Sequence, residues 1–172
     1  TKNIDYRTGE VSRGASFALW FNDSNTGLAH RLFGYGAGAS RISATGGLGD
    51  VAKRFAPLSV AATTVAALLW DAGVVGLFCF ASVVLTSLIY AMRLSNEKRL
   101  SELDRAQMEA WGALLLIMCT VLIYNRTLID EPSTQMLLAL AVGFVVQARI
   151  NLQVKPSTAN NRSKQPHWIY AR

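Results

Sequence analysis

Beyond residue 70 the charges thin out in three places, and each gap approaches the length of a membrane crossing. From Ala72 to Met92 run 21 residues without Asp, Glu, Lys or Arg, AGVVGLFCFASVVLTSLIYAM. A helix rises 1.5 Å per residue, so about 20 residues cross the hydrocarbon core. Ala110–Asn125 (16 residues) and Pro132–Ala148 (17 residues) are shorter. Their flanking Arg105, Arg126 and Arg149 can snorkel, and Gln107 and Met108 extend the second run into the interface. The pattern predicts transmembrane helices over 72–92, 110–126 and 133–151. A soluble helical core built from these runs would have little polar surface left.

The stretch Ala56–Trp70 is also free of charge. Pro57 opens it, Thr63 and Thr64 interrupt it, and Leu58, Ala61, Ala62, Val65, Leu68 and Leu69 follow helical i, i+3, i+4 spacing. This predicts a short helix over 56–71 that lies at the interface or re-enters from outside, with Asp71 and Gly73 marking a break. The alternative is that it lengthens the first span. Residues 1–55 are polar and Gly-rich, with one apolar patch at Ala15–Phe21 and no strand alternation, and read as a large loop. From residue 152 onward the chain is rich in Asn and Ser and reads as a disordered tail. The expected fold is all-α and polytopic.

Composition supports membrane residence. Of 172 residues, 51% are hydrophobic and 16% charged, against roughly 25% charged in ordinary soluble domains. The mean hydropathy is +0.26. Two large domains and a disordered chain are both excluded. The chain starts at Thr1 without a basic region followed by an apolar one, so no signal peptide is visible and the sequence reads as a piece of a longer protein.

The net charge is +6, and its placement sets the expected topology. The connection 93–109 carries Arg93, Lys98, Arg99 and Arg105, and the tail adds Arg149, Lys155, Arg162, Lys164 and Arg172. The short connection 127–132 carries Arg126 alone beside Asp130 and Glu131. By the positive-inside rule 93–109 and 152–172 face the cytoplasm, while 127–132 and the N-terminal loop face the other side. Basic residues divided between two faces of a membrane do not form a nucleic-acid patch, so no nucleic-acid partner is expected; membrane lipids are. Cys79 and Cys119 sit in apolar runs as small hydrophobes, and His30 and His167 are too isolated for a Cys/His metal site. No metal or other cofactor is expected.

The candidate chemistry lies ahead of the first span. Gly34, Gly36 and Gly38 in LFGYGAGASR have G-x-G-x-G spacing, suited either to an anion-binding nest or to a tight turn that positions Arg31 and Arg41. This is neither the dinucleotide fingerprint nor a P-loop. Arg13, Arg31 and Arg41 suit a diphosphate, because guanidinium groups bind phosphate oxygens bidentately and stay charged; the alternative for each is a solvated loop charge. Lys53 and Arg54 suit lipid headgroups. His30 is either a general base or a loop histidine without chemistry. Asp71, in LLWDAG, either accepts a proton or orients a hydroxyl, or it caps the following helix.

Taken in order, Arg13 with Trp20, then LFGYGAGASR, then LLWDAGVVGL, then paired apolar spans, residues 4–152 resemble the C-terminal part of the O-antigen ligase and exopolysaccharide polymerase family of bacterial inner-membrane proteins. The resemblance implies a metal-independent inverting glycosyltransferase in lipopolysaccharide or exopolysaccharide biosynthesis. It would transfer glycan from undecaprenyl diphosphate to a sugar hydroxyl of another repeat unit, or in a ligase to lipid A core. Arg13, His30 and Asp71 would then be the catalytic residues. Arg31, Arg41 and the three loop glycines would bind substrate, and a chain-length regulator protein would be a partner. There is one departure. Many members carry His-Asn about eleven residues before the Gly that opens the span, where this chain has Ala62 and Thr63. That absence favours the rival reading, a non-enzymatic export or scaffold protein of the membrane.

Overall fold

The computed structural model describes residues 4–5, 7–41 and 47–162. In chain order the elements are β1 (Ile4–Asp5), β2 (Glu10–Val11), α1 (Arg13–Asn22), α2 (Leu28–Phe33), α3 (Asp50–Phe55), α4 (Thr64–Ser95), α5 (Glu102–Tyr124), α6 (Thr127–Asp130) and α7 (Pro132–Arg162). The chain is mostly helical. Three helices are long and apolar enough to cross a membrane: α4, α5 and the Pro132–Gln153 part of α7.

The start of each of these helices has a local cause. Thr63 accepts a hydrogen bond from Ala66 N–H at 3.1 Å and starts α4. Ser101 accepts one from Asp104 N–H at 3.2 Å and starts α5, with Glu102 and Asp104 complementing the positive end of the helix. Pro132 opens α7, where its missing N–H costs nothing. The helices pack through Leu88, Ala91, Leu94, Met108, Leu115, Ala141 and Val145. Gly112 brings the α5 backbone close to α4, so that a Cβ there would lie 3.6 Å from that of Ala91. The outer faces are equally apolar: Phe78 is 73% exposed and Met136 67%. A helix greasy on every side belongs in a bilayer or deep inside protein.

A second core, Trp20, Ala39, Val51, Val60, Leu69 and Trp70, ties α1 and α3 to the first turns of α4. On α1 the buried residues are Ser16 and Trp20, four apart and so on one face. The Ser16 hydroxyl donates to the Val60 carbonyl and accepts from Ala62 N–H at 3.2 Å, while Trp20 Nε1–H donates to the Leu69 carbonyl at 3.2 Å. Trp20 is therefore a packing residue. At the same end of the bundle the α5–α7 connection docks on this module. Thr64 donates from both N–H and Oγ to the Asn125 carbonyl, each at 2.8 Å.

Several boundaries differ from those expected. Within the loop expected over 1–55, the described residues hold α1, α2, α3 and a two-residue antiparallel ladder pairing Ile4 with Val11. The segment 56–63 is non-helical, because Pro57 ends α3 and Thr63 is the cap, so the short helix begins at Thr64. The α4–α5 connection shrinks to 96–101, since the Ser101 cap carries α5 outward through its charged first turns. The last helix runs to Arg162, past residue 152 where the tail was expected to begin; the rest of that tail, 163–172 with His167, lies outside the described residues.

Candidate functional site

The sequence-predicted site residues fall into two groups, one around a break in α4 and one beside the α5–α7 connection. The break is at Gly73, with φ 69° and ψ −170°. Gly34 has nearly the same angles, φ 74° and ψ −173°. Only glycine is at home in that region. The two glycines sit back to back. A Cβ on Gly34 would overlap the Asp71 carbonyl, and one on Gly73 would overlap the Leu32 carbonyl and lie 2.6 Å from Gly34 N.

Around this junction the G-x-G-x-G loop is bound to the end of the short helix. Tyr35 N–H donates to the Trp70 carbonyl and Gly36 N–H to the Asp71 carbonyl, both at 2.9 Å. The half-buried Asp71 carboxylate accepts from Gly38 N–H at 3.0 Å and from Ser40 N–H at 2.8 Å. Loop amides that an anion would need are thus partly taken by Asp71, and Asp71 caps the loop rather than the following helix. His30 is exposed on α2 and stacks on Tyr35, ring centroids 4.3 Å apart.

Two of the three arginines singled out for phosphate are engaged with the protein. Arg31 donates to the Phe21 carbonyl at 3.2 Å. Arg41 donates to the Ile129 carbonyl at 2.8 Å and pairs with Asp130 at 3.1 Å. Arg126 pairs with the same Asp130 from the other side, also at 3.1 Å. Arg54, expected at lipid headgroups, instead pairs with Asp23, whose side chain is only 7% exposed.

Asp23 supplies a pH-dependent element. Burial alone would raise its carboxyl, but the Thr26 hydroxyl, the Asn25 N–H and the Arg54 guanidinium outweigh it and hold it below the ordinary 3.8. The unfolded chain therefore binds the proton first, so Asp23 contributes stability at neutral pH that disappears as pH falls through its lowered value. Asp23→Asn should lower the melting temperature at pH 7 and flatten its acid dependence between pH 7 and pH 3. Equal melting curves for both proteins at both pH values would remove Asp23 from the stability of the module.

Arg13 is different. It is exposed, its guanidinium lies 3.8 Å from the centre of the Tyr124 ring, and among the described residues it makes no ion pair. It opens onto a cleft of about 800 Å³ between the start of α1 and the end of α5. Arg126, Tyr124, Asn125, Ser12, Ser59, Ala62 and Glu10 also line it. The first turn of α1 adds the positive end of a helix to the two guanidinium groups. Guanidinium stacking engages the ring face and leaves the in-plane N–H donors available to oxygen ligands. In the sequence Arg126 is the flank of a span, Tyr124 lies within that span, and Glu10 carries no signal of a role. What brings Arg126 to the cleft is the turn at Asn125, whose side chain accepts from Thr127 N–H at 3.0 Å and Thr127 Oγ at 2.6 Å.

Among the described residues no three His, Cys, Asp or Glu groups converge as a metal site. No family model matches the chain, and neither does any curated protein or solved structure.

Proposed function

We propose that the chain belongs to a bacterial inner-membrane polysaccharide polymerase and that the Arg13–Arg126 cleft takes the diphosphate of an undecaprenyl diphosphate-linked glycan. The observation that carries this reading is that Arg13, without an ion pair among the described residues, and Arg126, which also pairs with Asp130, line one open cleft with the first turn of α1, at the end of the bundle that holds α1–α3. Charge placement, read by the positive-inside rule, supports an orientation with that end outside the cytoplasm. A ligase would use the same cleft with lipid A core as acceptor.

In the proposed transfer the acceptor hydroxyl oxygen bonds to the anomeric carbon as the carbon–oxygen bond to the diphosphate breaks. Undecaprenyl diphosphate leaves with the electron pair, and Arg13 and Arg126 offset the charge that develops on it. A single displacement inverts the anomeric centre. The hydroxyl proton needs a base. Ala62, at the position where the resembling family often has histidine, lines this cleft and supplies none. Glu10 is the carboxylate that does line it.

The test is transfer by the protein in its native membrane, read as longer glycans and release of undecaprenyl diphosphate. Glu10→Gln should slow transfer by about 10²–10⁴ with donor binding retained, the range general bases contribute. Full activity in Glu10→Gln would exclude Glu10 as base, whereas no consumption of lipid-linked donor by the unaltered protein would favour the scaffold reading that the missing His-Asn pair supports.

A further inference from the structure

A second groove runs between α4 and α7, toward the ends of these helices farthest from the Arg13 cleft. It encloses about 480 Å³, and its walls include Val83 and Tyr90 of α4 with Val142, Val146 and Ile150 of α7. Ser82, Thr86 and Ser87 add hydroxyls along one wall, and Arg149 and Gln153 close the far end. The Arg149 guanidinium lies 4.0 Å from the centre of the Tyr90 ring. We propose that this groove binds one acyl chain of an anionic phospholipid and that Arg149 holds its phosphate.

Depth argues for it first. Arg149 follows Pro132 by 17 residues, about 26 Å along a helix, close to the roughly 30 Å of the hydrocarbon core. With Pro132 at one interface, Arg149 stands near the other, at the level of the phosphates. Charge is the second argument. Among the described residues no carboxylate lies within ion-pair distance of Arg149, so its charge has no ion-pair partner among them. Its ring contact occupies only the face of the guanidinium, which leaves the edge to chelate a phosphate.

The walls complete the case. An apolar groove facing hydrocarbon is filled by an acyl chain or by another helix, because water gains nothing there. A helix laid along it would cover Arg149 and would have to bring an acid to match it. A phospholipid supplies the apolar chain and the anion in one molecule, with its anion already at the required depth. This inference does not depend on the glycan-transfer reading.

The experiment equilibrates the purified protein with vesicles of equal parts phosphatidylglycerol and phosphatidylcholine and reads the retained lipid by native mass spectrometry. The unaltered protein should retain about fivefold more phosphatidylglycerol, the attraction of one basic residue for an anionic surface. Arg149→Gln should abolish that preference and Arg149→Lys should keep most of it. Val146→Trp, which fills the groove, should lower retention of both lipids with helical content unchanged. A preference undiminished in Arg149→Gln, undiminished retention in Val146→Trp, or no lipid retained by the unaltered protein would each overturn the proposal. So would crosslinking of two copies through Thr86→Cys, in a background with Cys79 and Cys119 replaced by Ser, because a second chain would then occupy the groove.

Discussion

Arg13→Ala should lower glycan transfer by about 10²–10³ while leaving the protein folded and at its normal level in the membrane, the loss seen when one preorganised charge-stabilising donor is removed. The two effects separate because Arg13 contributes little to the fold. Its side chain is exposed and its one described contact is the face of Tyr124, a stack worth about 0.5–1 kcal/mol at such a site. Arg13→Lys should recover part of the activity, since it restores the charge but not the planar, bidentate fork. Arg126→Ala should also impair transfer, but it removes a partner of Asp130 as well, so its melting temperature must be measured beside its activity. Transfer at the normal rate by Arg13→Ala would take Arg13 out of the mechanism.

The largest expected effect on stability is at Gly34. With φ 74° and ψ −173°, it sits where side-chain-bearing residues are strained by about 1–3 kcal/mol before any contact is counted. A Cβ there would also meet the Asp71 carbonyl and the Ala72 nitrogen, which are backbone atoms of a packed helix and cannot move aside. Gly34→Val should therefore detach the loop from the break in α4, costing at least about 3 kcal/mol in total. The readout is a melting temperature lowered by several degrees and rapid proteolysis within 34–41. Gly36→Ala is the comparison: its φ is 104°, but nothing lies within 4 Å of the added Cβ, so backbone strain alone remains. Equal stability of the two variants would contradict the back-to-back glycine junction.

How far the sequence reveals this molecule depends on the kind of signal. The apolar helices are legible because charge-free runs of such length have few other uses. The break is legible because Asp71 and Gly73 stand together at the end of an apolar stretch, and the chain does leave helical geometry at Gly73. The short helices α2 and α3, of six residues each, are not legible: fewer than two turns give no periodicity, and α3 is held by Val51 in the core with Trp20 and Trp70 while α2 buries no residue.

The arginines divide the same way. Arg31 and Arg41 look like ligand residues in a linear reading because their partners are the carbonyls of Phe21 and Ile129, and backbone atoms leave no mark in a sequence. Arg126 carries the opposite disguise. It resembles an ordinary flanking charge of a span, and only the turn through Asn125 and Thr127 brings it into the cleft with Arg13. Glu10 sits on a two-residue strand too short to be seen as one. Asp71 is the instructive intermediate: both a chemical and a capping role were open to it, and its two carboxylate oxygens accept from Gly38 and Ser40.

The proposed transfer requires the Arg13–Arg126 cleft to open on the outer face of the membrane, and one labelling measurement decides it. Ser59 lines the cleft and is exposed, so Ser59→Cys, with Cys79 and Cys119 replaced by Ser, places a single thiol there. A membrane-impermeant maleimide applied to cells with an opened outer membrane and an intact inner membrane should label it fully. Labelling that begins only after the inner membrane is permeabilised would put the cleft inside the cell and contradict the proposed transfer.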